Sequence, residues 1–345
     1  MRSQEVNVIA KPKLGKTNNR NSILYRGIQE LGAKVDDFKL RKVILKNYDI
    51  LHIHWPDRIL SSKFVTVKLF LLTGLFFFVW LKNAKIIYTV HNPSPKIYQK
   101  MWQKKIYFRI ITSWVDAFIF PSMHAQETWH KEIHYNGDNP KLSKIIPLGL
   151  QDEIVSKGNY MPIELGAYNN SADFLLFVGR LTLDKEFPAA VLELLKDPRF
   201  MKLKIVVAGA PKDQSVVNSL CDIEKQNKDR LLVVSRFLED TEINWLIKNC
   251  SAVVINYNAV NSGVATLALA HEAKLVVYND SFRASLKVTY GPADIYTLDE
   301  YHDELNGELE GELKRMTCLS GNRLTMRLIS RNTLEFYKEV LEHEA

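Results

Sequence analysis

Short apolar runs that alternate with helix-length segments are the feature that most restricts the fold of this chain. The runs in the first half occupy residues 6–10, 49–54, 85–90, 116–120 and 144–147. Those in the second half occupy residues 174–178, 203–208, 231–234, 252–256 and 275–278. Buried strands that are separated by helices form parallel sheets with helices on both faces. The sequence therefore predicts an α/β protein with doubly wound sheets.

The length of the chain predicts two domains, because 345 residues exceed a single typical core. We assign residues 1–155 to a first Rossmann-like domain and residues 173–320 to a second one. Residues 156–172 are predicted to be a linker, since glycine, proline and asparagine recur there without periodicity. Residues 321–345 are predicted to form a C-terminal helix that packs back on the first domain. Ligands are expected in a cleft between the domains, at the carboxyl ends of the strands.

Positive charge is concentrated in the first part of the chain. Residues 1–150 hold 24 Lys and Arg against 10 Asp and Glu, whereas the remaining residues hold 22 against 29. A basic part of this kind suits a membrane surface, a phosphorylated lipid or a nucleic acid, and a solvated face without a partner is the alternative. Basic and aromatic residues interleave over residues 96–109, which favours an anionic membrane interface. No nucleic-acid-binding signature accompanies them, so we expect no nucleic acid partner.

One apolar run, residues 64–81, is close to the length of a membrane span. It is eighteen residues long and Lys68 is its only charged residue, which places it at the lower limit for a transmembrane helix. We prefer a helix that lies on the sheet with part of its apolar face against a membrane, because a span would interrupt the α/β alternation. A wholly buried helix and a span are the alternatives.

The cellular location is predicted from the start of the chain and from its cysteines. No signal peptide opens the sequence, and Cys221, Cys250 and Cys318 form no metal-ligand pair. A reducing cytosol without disulfides is the simplest account. We therefore expect a cytoplasmic protein that is peripheral on the inner face of the cell membrane.

Two cationic residues follow the first strand of the second domain. Residues 177–185 read FVGRLTLDK, so the strand ends at Gly179 and delivers Arg180 and Lys185 to one edge of the sheet. An arginine grips a phosphate with two hydrogen bonds, and a lysine adds a mobile charge. Together they suit a nucleoside diphosphate leaving group, and a surface ion pair between Arg180 and Asp184 is the alternative.

A loop of small residues opens an apolar helix further along the chain; these residues are Ser262, Gly263, Val264 and Ala265. Glycine lets a phosphate approach the backbone, and the N–H groups at a helix start bind anions. The loop is therefore predicted to bind the same diphosphate. Ser262 is also a natural N-cap, and that role alone is the alternative.

Two residues near strand ends of the first domain are candidates for taking the proton of an acceptor. His91 follows a strand and is a candidate proton acceptor near neutral pH, and a hydrogen bond to Asn92 or to a carbonyl is its alternative. Asp57 is the other candidate base, although it equally suits a cap beside Arg58. The pair formed by His52 and His54 shares one face of a strand, but no third ligand accompanies it, so no metal site is predicted.

These motifs resemble those of GT-B glycosyltransferases. Residues 177–195 are similar to a segment of these enzymes that reads FVGRL followed by a lysine, and residues 261–277 are similar to the segment after the donor-binding loop of their large retaining family. Residues 49–56 (DILHIHWP) and 89–92 (TVHN) are similar to segments of bacterial transferases that build capsular and exopolysaccharide units on lipid carriers, such as the glucuronosyltransferase of xanthan assembly. The resemblance implies two Rossmann-like domains that face a cleft.

The resemblance also implies an activity and roles for single residues. A sugar would pass from a nucleotide-sugar donor to a lipid-linked or oligosaccharide acceptor, with no cofactor and no metal. His91 or Asp57 would act on the acceptor, and the loop with Gly15 and Lys16 would border both substrates. Residues near the nucleotide base would be Arg236, Phe237 and Leu238. The diphosphate would be held by Arg180, Lys185, Ser262, Gly263, Val264 and Ala265.

The chain departs from the resembled pattern at its acidic pair. The two glutamates of that pair correspond by position to Val260 and Ala268. Their loss motivates an alternative of another class, namely a non-catalytic GT-B-like partner subunit or a glycan-binding protein. A sugar-nucleotide epimerase or a phosphorylase is a further alternative within the fold. The sequence leaves open the sugar, the nucleotide, and whether the anomeric configuration is retained or inverted.

Overall fold

The fold is described from a computed structural model of the chain, which describes residues 5–12, 20–95, 100–133, 141–167, 173–257, 262–291, 294–306 and 324–343. The chain divides into two compact units. Unit 1 consists of residues 1–149 together with 324–345, and unit 2 consists of residues 150–323. The boundary thus lies before the predicted one at residue 155.

Unit 1 is built on a six-stranded parallel sheet with the strand order β2-β1-β3-β4-β5-β6. Its strands are β1 (Asn7–Lys11), β2 (Lys34–Asp37), β3 (Ile50–His54), β4 (Lys85–Thr89), β5 (Ala117–Phe120) and β6 (Leu142–Ile145). The helices of this part are α1 (Arg20–Glu30), α2 (Leu40–Leu45), α3 (Val65–Leu81), α4 (Met101–Trp114) and α5 (Met123–Ile133). Two apolar clusters bury the two faces of the sheet, as expected for a doubly wound sheet.

The apolar run of unit 1 forms α3, which is buried along one face only. Its buried residues are Val65, Leu69, Leu72, Phe76 and Val79. Phe70 is 78% exposed and Trp80 is 60% exposed on the other side, so the helix is not wholly buried. Across the part of the chain that the structure describes, no helix has both the length and the apolar character that a bilayer crossing needs.

Unit 2 contains a second six-stranded parallel sheet, with the order β12-β11-β10-β7-β8-β9. Its strands are β7 (Phe174–Val178), β8 (Lys204–Ala208), β9 (Leu231–Val234), β10 (Ala252–Ile255), β11 (Leu275–Val277) and β12 (Ile295–Tyr296). Its helices are α6 (Asp152–Val155), α7 (Phe187–Lys196), α8 (Gln214–Gln226), α9 (Asp240–Asn249), α10 (Gly263–Ala270), α11 (Asp280–Tyr290) and α12 (Leu298–Asn306).

The described part of the predicted linker belongs to unit 2. Residues 163–167 form a 3-10 turn, and Leu165 is buried in the core of this unit together with Ile154 of α6. Glycines and a proline broke the periodicity on which the linker prediction relied, but the apolar side chains between them still pack on the sheet.

The last helix, α13 (Met326–Glu342), packs against α1 and completes unit 1. Thr325 caps it by accepting a hydrogen bond from the amide of Leu328 at 3.3 Å. Phe336 and Tyr337 are fully buried, and the hydroxyl of Ser330 donates to the carbonyl of Leu24 in α1 at 3.1 Å. Unit 1 is therefore made from two separate parts of the chain.

Candidate functional site

The strand order of unit 2 identifies where a ligand would bind. Strands β7 and β10 are neighbours, and the chain runs from them in opposite directions across the sheet. Open α/β sheets bind ligands at such a switch point, outside the carboxyl ends of the strands. Gly179 and Arg180 follow β7 at this edge, while Asn256 and Tyr257 follow β10.

Lys185 lies over the backbone at the end of β7. A Cβ atom at Gly179, whose φ is +132°, would collide with the Lys185 ammonium, so the glycine makes room for it. The ammonium also lies 4.7 Å from the ring centre of Tyr257 and 5.2 Å from that of Phe187. Burial and the nearby Arg180 lower the pKa of Lys185 to about 8. The site thus holds a lysine that an anion would stabilise in its charged form.

Arg180 is the second cation of this site. Its side chain is exposed, and among the described residues it has no ion-pair partner, so the alternative pairing with Asp184 is not found. Its charge contributes to the lowered pKa of Lys185, which places the two cations within electrostatic reach of each other. The structure therefore brings together the two cations that the sequence predicted to share a site.

The start of α10 lies at the same edge of the sheet. Ser262 acts as the N-cap, because its Oγ accepts a hydrogen bond from the amide of Ala265 at 3.3 Å. The same Oγ lies 2.9 Å from the hydroxyl of Tyr257. Because the amide of Ala265 is occupied by the cap, the amides of Gly263 and Val264 are better placed to meet a ligand. Gly263 is exposed and Val264 is half-buried.

The predicted base-contacting residues do not present three side chains to a ligand. Arg236 is held in ion pairs, at 2.7 Å from Glu164 and 2.6 Å from Glu242. Leu238 is buried in the core of unit 2, whereas Phe237 is 65% exposed. Phe237 thus offers an exposed ring to a nucleotide, whereas the guanidinium of Arg236 is engaged by two carboxylates.

A cluster of three histidines and two tyrosines, all buried except the half-buried His91, lies at the carboxyl edge of the sheet in unit 1. This histidine cluster consists of His52, His54, His91, Tyr25 and Tyr337. The Tyr25 hydroxyl lies 2.6 Å from Nε2 of His54 and 2.9 Å from Nδ1 of His52. Nδ1 of His52 also lies 2.6 Å from the hydroxyl of Tyr337. Nδ1 of His54 lies 2.9 Å from Nε2 of His91, so one hydrogen-bonded chain joins α1, α13, β3 and the end of β4.

The imidazoles of the histidine cluster are neutral near pH 7. Burial lowers the pKa of His54 to about 3. Burial and the neighbouring imidazoles also lower the pKa of His52 and of His91 well below the usual range. The hydrogen bond between His54 and His91 allows two proton arrangements, because either neutral ring can be the donor. When Nε2 of His91 donates to His54 and Nε2 of His54 donates to Tyr25, the Nδ1 atom of His91 carries a lone pair.

Trp55 covers His91 on one side. The two ring centres are 4.3 Å apart and the rings are nearly parallel, at 15°. Trp55 has a positive φ of 52°, a conformation that is rare for an aromatic residue. The turn after β3 thus fixes the ring that orients His91.

Asp57 lies beside this cluster in the 3-10 turn at Pro56–Ser61. Its Oδ2 accepts a hydrogen bond from the side-chain amide of Asn92 at 2.6 Å, while its Oδ1 is buried without a hydrogen-bond partner among the described residues. Burial raises the pKa of this carboxyl group above its usual range. The side-chain amide of Asn92 is therefore bonded to Asp57.

Some residues of the site were not predicted, and two predicted ones cannot be placed. Asn256, whose side-chain amide donates to the carbonyl of Lys185 at 2.5 Å, and Tyr257 support the lysine. Their position directly after a buried strand was the available signal. Gly15 and Lys16 lie outside the described residues.

Known proteins resemble this chain in sequence and in fold. No protein-family model matches the chain. The chain is 23% identical over 286 residues to a GDP-mannose:glycolipid 4-beta-D-mannosyltransferase of Xanthomonas campestris pv. campestris, which covers 79% of this chain and 74% of that protein. A second protein of the same name is 21% identical over 281 residues, with the same coverage.

Solved structures resemble the whole chain. The structure of HepE from Anabaena in complex with UDP has a TM-score of 0.67 at 12% identity, and it covers 97% of this chain and 100% of that chain. A glycosyltransferase from Rickettsia africae has a TM-score of 0.62 at 13% identity and covers 99% of both chains. The predicted fold class, α/β with two Rossmann-like domains like those of GT-B glycosyltransferases, is thus confirmed.

Proposed function

We propose that this GT-B chain is a metal-independent glycosyltransferase that moves a sugar from a nucleotide-sugar donor to a lipid-linked or oligosaccharide acceptor. The observation that carries the proposal is the pair formed by Arg180 and Lys185 at the switch point of unit 2. The site holds two cations beside a helix N-terminus, and it is the kind of site that binds a diphosphate. The names of the sequence relatives and the UDP bound in HepE support the same class of substrate.

The proposed chemistry follows from where charge develops. As the glycosidic bond to the donor breaks, negative charge grows on the departing diphosphate. Arg180, Lys185 and the amides of Gly263 and Val264 would stabilise that charge without having to reorganise. On the acceptor side, the imidazole of His91 would take the hydroxyl proton as the new bond forms. No step requires a metal ion.

Unit 1 supports a role at a membrane surface. Exposed apolar side chains line the outer face of α3, and Met101 and Trp102 on the neighbouring α4 are 54% and 44% exposed. The sequence suggested that Tyr107 and Phe108 of α4 belong to this surface, but both are buried in the core and do not contribute to it. We propose that the exposed face contacts the inner leaflet, where a bacterial surface polysaccharide would be assembled on a glycolipid.

The experiment that tests the activity measures free nucleoside diphosphate. UDP-glucose, GDP-mannose and a dTDP-sugar are offered in turn with a membrane lipid extract as acceptor. One sugar donor is expected to turn over. Arg180→Ala is expected to lower kcat by about a hundredfold, the effect that removal of one preorganised hydrogen-bond donor has in other enzymes. Arg199→Ala is the matched control, since Arg199 is an exposed arginine of unit 2 with surface ion pairs.

The outcomes separate the alternatives. Full turnover by Arg180→Ala would contradict the phosphate role of this residue. Neither turnover nor nucleotide binding across the donors would instead support the non-catalytic partner subunit, and co-purification would then identify its companion.

A further inference from the structure

Unit 1 contains a pocket of its own at the carboxyl edge of its sheet. The pocket has a volume of about 220 Å³. Lys11, the last residue of β1, and His54, the last residue of β3, both line it. These two strands are neighbours at the point where the strand order of the sheet reverses. The pocket therefore lies at the switch point of unit 1, where sheets of this class bind ligands.

The charges around the pocket favour an anion. Lys11, Arg58 and Lys68 line it, and no carboxylate is among its described lining residues. Within the described ranges, none of these three cations has an ion-pair partner, whereas other lysines of unit 1 are paired, such as Lys42 with Asp36. Lys11 lies 4.4 Å from the ring centre of Phe38, and burial lowers its pKa. Cations that are held together without counter-charges gain from a bound anion.

The remaining walls of the pocket are apolar. Leu72 and Leu75 follow Lys68 on one face of α3, at helical spacing. Trp55 forms another wall and contacts the guanidinium of Arg58, whose carbon lies 5.1 Å from the ring centre. The outer surface of the same helix exposes Phe70 and Leu71. An inorganic anion would use the cations alone, whereas an amphiphile with a phosphate would use both the cations and the apolar surface.

We propose that this pocket binds the phosphate or diphosphate of an amphiphilic acceptor, with the apolar chain leaving along α3. The assignment of the ligand as the acceptor rests on the proposed function. Trp55 joins the pocket to the candidate base, because it lines the pocket and stacks on His91. A phosphate held here would place the next groups of the acceptor beside the imidazole.

Calorimetric titration of the full chain tests the pocket with three soluble probes. Decyl phosphate below its critical micelle concentration carries both groups, pyrophosphate carries only the anion, and decyl glucoside carries only the chain. Decyl phosphate is expected to bind about tenfold more tightly than either of the others, because it alone uses both kinds of contact. The triple variant Lys11→Gln, Arg58→Gln, Lys68→Gln is expected to lose this binding by about tenfold or more.

A matched variant separates the pocket from the general basic charge of unit 1. Lys105→Gln, Arg109→Gln and Lys131→Gln remove the same charges from exposed residues outside the pocket, and the combined variant is expected to bind decyl phosphate like the unaltered chain. The single variant Lys68→Gln, which removes an exposed side chain of α3, is expected to weaken binding even if the triple variant folds poorly.

Three results would overturn the proposal. These are equal losses in the two triple variants, equal affinity for pyrophosphate and decyl phosphate, and no binding of decyl phosphate at all. UDP and GDP binding is measured on the same samples, so that a failure of the donor site is told apart from a failure of the pocket. If the chain bound decyl phosphate but neither UDP nor GDP, the proposed transferase activity would be contradicted, while the proposal for the pocket would stand.

Discussion

At the scale of single residues, Lys185 is expected to make donor binding depend on pH. Its pKa is about 8 in the free chain, and a bound diphosphate stabilises the charged form. Affinity for UDP or GDP should therefore be highest below pH 8 and fall by up to about tenfold per pH unit above it, as protons must be taken up on binding. Titrations across this range check the expectation.

Two variants identify the group behind that profile. Lys185→Arg keeps its charge at every accessible pH, so its profile should be flat. Arg180→Ala removes a cation that lowers the pKa of Lys185, so its profile should bend at a higher pH. A profile that is unchanged in Lys185→Arg would assign the titration to another group.

Asp57 is a second residue whose protonation the fold alters, and it provides a test of which group is the base. Burial raises its pKa, so the folded chain binds this proton more tightly than the unfolded chain, whose aspartates titrate near pH 4. Stability should then fall as the pH rises through the raised pKa. Asp57→Asn should lack this loss, so its free energy of unfolding should exceed that of the unaltered chain at pH 7 and show no such gain below about pH 4.

Denaturant unfolding at the two pH values measures this difference. If His91 is the base, sugar transfer by Asp57→Asn should stay close to that of the unaltered chain, while His91→Ala loses it. A large fall in kcat in Asp57→Asn, with folding intact, would assign the base to Asp57 instead.

At the scale of elements, α3 is expected to attach the chain to anionic membranes. Phe70 and Leu71 are 78% and 62% exposed, so glutamates at these positions should leave folding unchanged. The double variant should bind vesicles of phosphatidylcholine with phosphatidylglycerol about tenfold less well, because it loses two apolar side chains that would insert into the membrane and gains two charges that the anionic lipid repels. The control is Met201→Glu with Val288→Glu, which alters two exposed apolar residues of unit 2. Equal sedimentation of both variants would show that α3 is not the contact.

The elements also show what the sequence could and could not predict. Residues 174–178 form a strand with the predicted limits, because a buried strand of a parallel sheet needs continuous apolar residues. Residues 231–234 also form a strand with the predicted limits, although β9 lies at the edge of its sheet. Strand β2, with the sequence KVDD, escaped prediction since it is an edge strand with a single buried residue. The position of Arg180 could be predicted, because a residue that directly follows a buried strand lies at the carboxyl edge of the sheet. Those of Tyr25 and Tyr337 could not, because only the fold brings α1 and α13 to the histidines of β3.

At the scale of the whole molecule, the two-part origin of unit 1 makes its stability depend on α13. Phe336 is fully buried, and its replacement by alanine should cost about 3 to 5 kcal/mol through lost burial and a cavity. Hydrogen exchange followed by mass spectrometry should then show faster exchange in α1, β1 and β3, although these lie some three hundred residues before the change. Phe282→Ala, which removes a buried ring from unit 2, should speed exchange around α11 and β11 and leave α1 protected. If Phe336→Ala loosened only α13 itself, the C-terminal helix would not be part of the core of unit 1. The hydrogen bond between Tyr337 and His52 could then not help to hold His91 in place.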